Sequence, residues 1–142
     1  MASDGRSHVP FPRVLARFDD GLGFEARVVE VDGATAVAVD GEIDMATAGL
    51  FRDAIDEAGR RDGRVMIDLA GTTFIDSSGL AVLIGAYEKV GRRPDAVVLC
   101  AAAPCIRQVL EISGLDRFVT MVVEPLSSES ERLVWPEMSG EP

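Results

Sequence analysis

Hydrophobic and polar positions change period several times along this chain. "FEARVVEV" (Phe24–Val31) and "ATAVAVDG" (Ala34–Gly41) are rich in β-branched residues and flank an Asp-Gly pair, which predicts two antiparallel strands joined by a tight turn. In "EIDMATAGLFRDAIDEAGRR" the period becomes helical, with Leu50, Ala54 and Ala58 on one face and Phe51 and Ile55 beside it. Asp44 or Thr47 can cap its start, and Arg60 and Arg61 suit its C-terminal dipole. "RVMIDLA" (Arg64–Ala70) is short and almost wholly apolar, as a strand covered on both faces would be, and "GTTFIDSS" follows as a loop.

Ser77 to Val90 reads as a second helix. Leu80, Leu83, Ile84 and Tyr87 recur at helical spacing and are expected to face the core, which leaves Ser78, Val82, Gly85 and Lys89 on the back. A surface helix normally carries a polar back, yet no charge occurs from Leu80 to Tyr87. That back is therefore either covered within the fold or a partner surface. "AVVLCA" (Ala96–Ala101) is a further buried strand. "PCIRQVLEISGL" is a helix with Pro104 near its start, Gly114 past its end and an apolar stripe of Ile106, Val109 and Leu110. "RFVTMVV" (Arg117–Val123) is a last strand. A hairpin followed by alternating helices and strands predicts an α/β fold: one mixed sheet of about five strands, its later strands parallel and joined by right-handed crossovers. The expected organisation is an N-terminal extension over 1–22 with a short ordered piece around Val14–Phe18, a domain over 23–123, and a Ser-, Pro- and Glu-rich tail over 124–142 in which Leu133–Trp135 could dock.

Charge narrows the functions. The net charge is −10: residues 23–123 carry 16 acids and 10 bases, 124–142 carry 5 and 1, and 1–22 carry 3 and 3. Such a chain is a poor match for phosphate backbones or anionic bilayers, so neither nucleic acid nor membrane is an expected partner. No stretch is long and apolar enough to span a bilayer, and the N-terminus lacks a signal-peptide pattern, so a cytoplasmic protein is expected. Cys100 and Cys105 are then expected as free, buried thiols. The one histidine, His8, lies far from any candidate ligand set, so no metal or other cofactor is expected.

The stretch "FIDSSGL" (Phe74–Leu80) carries the candidate chemistry. Asp76 or Ser77 can cap the following helix. A hydrolase serine would need a nearby base and a G-x-S-x-G turn, and a phosphate loop would need Gly-Lys-Ser/Thr; neither occurs. Asp68 as a phospho-acceptor, loosely as in receiver domains, would also call for an acidic pair after the first strand and a lysine after the last, and the chain's one lysine, Lys89, lies inside the helix after the loop.

A regulatory phosphoserine remains. "VDGEIDMATAGLF", "VMIDLAGTTFIDSSGLAVLIGAYEKV" and "VVLCAAAPCIRQVLEISGLDRFVTM", in this order from about Phe24 to Val123, resemble the STAS domain of bacterial anti-sigma factor antagonists. Gly41–Asp44, Asp76–Leu80 and Ser113–Leu115 are the most specific parts. The resemblance implies that Ser77 is phosphorylated by an anti-sigma factor serine kinase and dephosphorylated by a metal-dependent serine phosphatase. It also implies that the unphosphorylated form binds the anti-sigma factor and frees the sigma factor. Asp76, Ser78 and Gly79 flank the phosphosite; Asp44, Ser78, Val82 and Gly85 are the expected partner-binding residues. The protein would then be a monomeric binding partner without catalysis of its own. The alternative is a STAS scaffold or adaptor in a stress-signalling or lipid-transport complex.

Overall fold

The computed structural model describes residues 13–31 and 33–123. Asp32, His8 and the tail over 124–142, with Leu133–Trp135, lie outside the described residues. The chain builds β1 (Arg13–Asp19), β2 (Glu25–Val31), β3 (Ala34–Ile43), α1 (Ala48–Arg61), β4 (Val65–Ile75), α2 (Ser77–Lys89), β5 (Val97–Cys100), α3 (Pro104–Ile112) and β6 (Thr120–Val122). These strands form one six-stranded sheet in chain order. β1, β2 and β3 are antiparallel, while β4, β5 and β6 each join parallel to the strand before. The hairpin register pairs Val31 with Ala34, and Gly33 takes a left-handed φ of 82° that suits a two-residue turn.

The α/β architecture is the expected one, with three differences. The sheet has six strands, because β1 forms inside the segment expected to be an extension. Ala16 and Phe18 of β1 pack against the core, and Arg13–Glu30 (2.6 Å) and Arg17–Glu25 (2.7 Å) pair across to β2. An edge strand is half exposed, so its pattern is weak, and its arginines deter further strand addition. β4 runs on to Ile75 through what reads as loop, with register shifts near Asp40 and Gly41 and a hydrogen bond from Thr72 Oγ1 to the Val39 carbonyl (3.2 Å). β6 is shorter than expected, because Leu115–Arg117 forms a 3₁₀ turn after Gly114, whose φ is 83°.

Helices α1, α2 and α3 share one core with one face of the sheet: Phe51, Ala54, Leu83, Ile106 and Leu110 meet Val28, Val37, Ile67, Leu69 and Leu99. The other face has a cluster built from strand residues alone: Val29, Val31, Ala36, Met66, Val98 and Cys100.

Helix α2 is rotated from the expected orientation. Its buried residues are Gly79, Val82, Leu83 and Ala86, while Ile84 is 45% exposed and Leu80 and Tyr87 are half-buried. Val82, expected on the back of the helix as a partner-binding residue, is 6% exposed, so the covered alternative holds for it. Helix α1 packs on that side, and Lys89 reaches across to Asp56 of α1 at 2.8 Å. Small groups decide this rotation. A Cβ on Gly79 would stand 2.6 Å from Ile75 Cγ1 and 2.7 Å from Ile43 Cγ2, so only glycine allows this approach to the sheet. Cys105 is exposed rather than buried, because Pro104 and Cys105 open α3 on its outer side. Cys100 is buried, and burial, with Asp68 nearby, pushes its thiol up to about 12.

Candidate phosphorylation site and partner surface

Strands β3 and β4 end in register, Ile43 opposite Ile75. The next residue on each is an aspartate, and each aspartate organises the turn that follows. Asp76 Oδ1 accepts from the backbone N–H groups of Ser78 (2.8 Å) and Gly79 (3.4 Å), so Asp76 is the cap of α2. Asp44 Oδ1 accepts from the N–H groups of Ala46 (2.9 Å) and Thr47 (3.1 Å) in the same i+2, i+3 pattern. Thr47 Oγ1 in turn donates to the Glu42 carbonyl (2.8 Å) and accepts from the Asp44 N–H (2.9 Å). Asp76 N–H donates to the Ile43 carbonyl at 3.2 Å, which ties the two loops to one sheet end.

Ser77 is the first residue of α2 and is exposed. Its hydroxyl makes no hydrogen bond among the described residues. The sequence leaves the cap open between Asp76 and Ser77. The structure assigns it to Asp76, and the Ser77 hydroxyl is thereby left available. Gly79 is buried beneath it as a packing residue, and Ser78 is half-buried.

From Ser77 a stripe of exposed residues runs along α2 at helical spacing: Ser77, Ala81, Ile84 and Glu88. It carries no charge before Glu88. On one flank Ser78 and Gly85 line a shallow groove against α1, with Val82 as its floor and Arg52 and Lys89 beside it. On the other flank Leu80, Ile84, Tyr87, Leu115 and Phe118 line an apolar groove of about 300 Å³. Tyr87 and Phe118 meet there at 5.6 Å between ring centroids. Of the expected partner residues, Ser78, Gly85 and Asp44 therefore keep some exposure, and Val82 does not. Ala81 and Ile84 were assigned no surface role by the hydropathy pattern, because an apolar residue at core spacing carries no sign that it faces out. Met45, 82% exposed at the tip of the Asp44 turn, is a further accessible apolar group at the same sheet end. The D-x-x-T turn in the sequence was its available signal.

Among the described residues no group of three His, Cys, Asp or Glu is placed to hold a metal ion, and no helix is long and apolar enough to cross a membrane.

The chain's likeness to known proteins agrees with this layout. The STAS domain family matches residues 25–131. An anti-sigma F factor antagonist of Paenibacillus polymyxa is 28% identical over 101 residues, 70% of this chain and 86% of the relative. An anti-sigma-B factor antagonist of Listeria monocytogenes is 32% identical over 84 residues, 58% of this chain and 74% of the relative. A solved anti-sigma factor antagonist from Mycobacterium paratuberculosis superposes with a TM-score of 0.61 at 33% identity, covering 68% of this chain and 83% of that one. The chain belongs to the STAS domain family, and these relatives are bacterial anti-sigma factor antagonists.

Proposed function

We propose that this protein is an anti-sigma factor antagonist whose binding is switched by phosphorylation of Ser77. The observation that carries the reading is the division of labour at the start of α2: Asp76 holds the helix cap, and the Ser77 hydroxyl beside it is exposed and makes no hydrogen bond among the described residues. A serine kinase can reach such a hydroxyl without breaking the cap. Phosphate there adds about −1.5 to −2 charge at a helix N-terminus, where the dipole tolerates an anion. The fold survives, and the effect falls on the partner.

The partner in this reading is the anti-sigma factor, docked along Ser77, Ala81 and Ile84, with Ser78 and Gly85 on one flank. The Asp44 turn, with Met45, borders the site from the adjacent strand end. A phosphate beside the Asp76 carboxylate would bring two negative charges into that interface. Like-charge juxtaposition in an interface costs several kcal/mol, and about 1.4 kcal/mol is tenfold in affinity. That is sufficient to release the partner. A serine phosphatase then restores the binding form.

The test is phosphopeptide mapping of protein purified from unstressed and stressed cells, followed by pull-down of the anti-sigma factor. Phosphate on Ser77, absent in Ser77→Ala, with partner bound by the unphosphorylated form only, is the expected result. A well-covered peptide without phosphate in both conditions would refute the switch and favour a scaffold or adaptor role.

A further inference from the structure

Where α1 and α2 end, at the opposite end of α2 from Ser77, they leave a cavity of about 510 Å³ between them. Small-molecule sites typically occupy about 300–1,000 Å³. Its floor is apolar: Ile55, Val65 and Ala86 are buried and Val90 is half-buried. Its rim is cationic. Arg60, Lys89 and Arg93 line it against a single acid, Asp56, on which Lys89 already sits at 2.8 Å. That sign is opposite to the chain's own, which carries 24 acids and 14 bases. Arg60 and Lys89 lie in the last turns of α1 and α2, where the helix dipoles favour cations. The dipole does not account for Arg93, which lies beyond the last turn of α2. Arg93 is exposed and has no carboxylate partner among the described residues; its Nε donates to the Val90 carbonyl at 3.0 Å. Two glycines keep the cavity open although neither the backbone nor the packing calls for them. Gly59 lies inside α1, where glycine is disfavoured, and a Cβ there would meet only Val65 Cγ2, at an ordinary 3.9 Å. A Cβ on Gly63 would meet nothing within 4 Å, and neither glycine has a positive φ.

We propose that this cavity binds a small amphipathic carboxylate, its apolar body on Ile55, Val65, Ala86 and Val90 and its carboxylate at Arg93, Arg60 and Lys89. A guanidinium fork matches a carboxylate with two parallel hydrogen bonds, and Arg93 keeps both terminal nitrogens without a hydrogen bond among the described residues. Asp56 within the rim repels a second negative charge, which favours a monoanion over a phosphate dianion. The cavity shares Ile55, Asp56, Ala86 and Lys89 with the shallow groove lined by Ser78 and Gly85. A bound carboxylate therefore lies against one edge of the proposed docking surface. The site itself rests neither on that surface nor on phosphorylation of Ser77.

The test titrates methyl-labelled, full-length protein with sodium octanoate, and with 1-octanol and acetate as probes of the chain and the charge alone. Octanoate is expected to give saturable shifts of the Ile55, Val65, Ala86 and Val90 methyl resonances. Octanol should bind about fivefold more weakly or worse, and acetate should not saturate. An exposed charge contact contributes about threefold, so Arg60→Gln with Arg93→Gln should weaken octanoate about tenfold. Arg117→Gln, exposed and outside the cavity, should change nothing. Gly59→Leu fills the cavity from a position with room for its Cβ and should abolish binding in a folded protein. Circular dichroism checks the fold; if this variant unfolds, the octanol comparison and the arginine double variant decide. Equal affinity for octanoate and octanol would overturn the proposal. So would unchanged binding by a folded Gly59→Leu, the absence of any saturable shift, or shifts centred on Leu80, Ile84 and Tyr87, which place the ligand in the other groove.

Discussion

Placing one aspartate at two neighbouring positions of α2 separates the observed helix orientation from the one the hydropathy pattern suggests. Val82 is 6% exposed against α1 and the sheet, and Ile84, two residues on, is 45% exposed. Val82→Asp forfeits about 1.5–3 kcal/mol of apolar burial. It also places a carboxyl at the buried floor of the groove between α1 and α2, below Arg52 and below Lys89, which is already paired with Asp56. Keeping that group neutral at pH 7 against a shift of about 3 units adds about 4 kcal/mol. The sum, about 5.5–7 kcal/mol, rivals the whole stability of many domains, about 5–15 kcal/mol. Ile84→Asp loses about half of an isoleucine's burial, about 1 kcal/mol, and its carboxylate stays in water. Both variants carry the same helix-propensity penalty, so the difference of about 5 kcal/mol belongs to burial. Urea unfolding followed by circular dichroism measures it, with the anti-sigma factor pull-down run on Ile84→Asp. The expected outcome is a largely unfolded Val82→Asp and a folded Ile84→Asp that binds its partner at least tenfold more weakly. Equal loss of stability in the two variants would refute the orientation. A folded Ile84→Asp with unchanged binding would refute the docking stripe.

Two further predictions test the packing and the electrostatics. Gly79→Ala should lower stability by about 1–2 kcal/mol despite alanine's better helix propensity, because its Cβ meets Ile75 and Ile43 at 2.6 and 2.7 Å; a rise in melting temperature would show that the helix start is not seated as described. Asp68 has its carboxyl pushed up, by burial first and by Asp40 as well, against the opposing hydrogen bond from Ala70 N–H and the charge of Arg27. A carboxyl raised in the folded state favours folding least when ionised, so its contribution falls as pH rises from the ordinary aspartate value through the raised one. Asp68→Asn, which can still accept from Ala70 N–H, should therefore be the more stable protein at pH 7, with the gap to the parent closing towards pH 4. Thermal melts of the pair at both pH values check this, and a gap that widens on acidification would contradict it.

Particular residues show how far the sequence carried. The Asp-Gly turn, the β-branched runs and the helical periods are local signals, and each led to the element found, although α1 starts without the side-chain cap that Asp44 or Thr47 was expected to supply. Ser77 became the candidate phosphosite because its neighbours resemble a family motif, although capping by Asp76 or by Ser77 could not be told apart from residue types alone. β1 was read as a short ordered piece, because an edge strand with one half-buried face has a faint period. α2 was turned the wrong way for a different reason. When nearly every position on a helix is small or apolar, hydropathy has no minimum to point with. The orientation then follows from close packing: Gly79 against Ile43 and Ile75, Val82 and Ala86 against α1, Lys89 on Asp56.

The sequence by itself determined the alternation of strands and helices, the hairpin turn and the serine motif, because these depend on residues within a few positions of one another. Only the tertiary structure decided which side of α2 meets solvent, that Asp76 holds the cap beside an exposed Ser77, and that β1 joins the sheet. Those outcomes depend on contacts between segments far apart in the chain, where the closeness allowed by one missing Cβ outweighs the average hydropathy of a helix face.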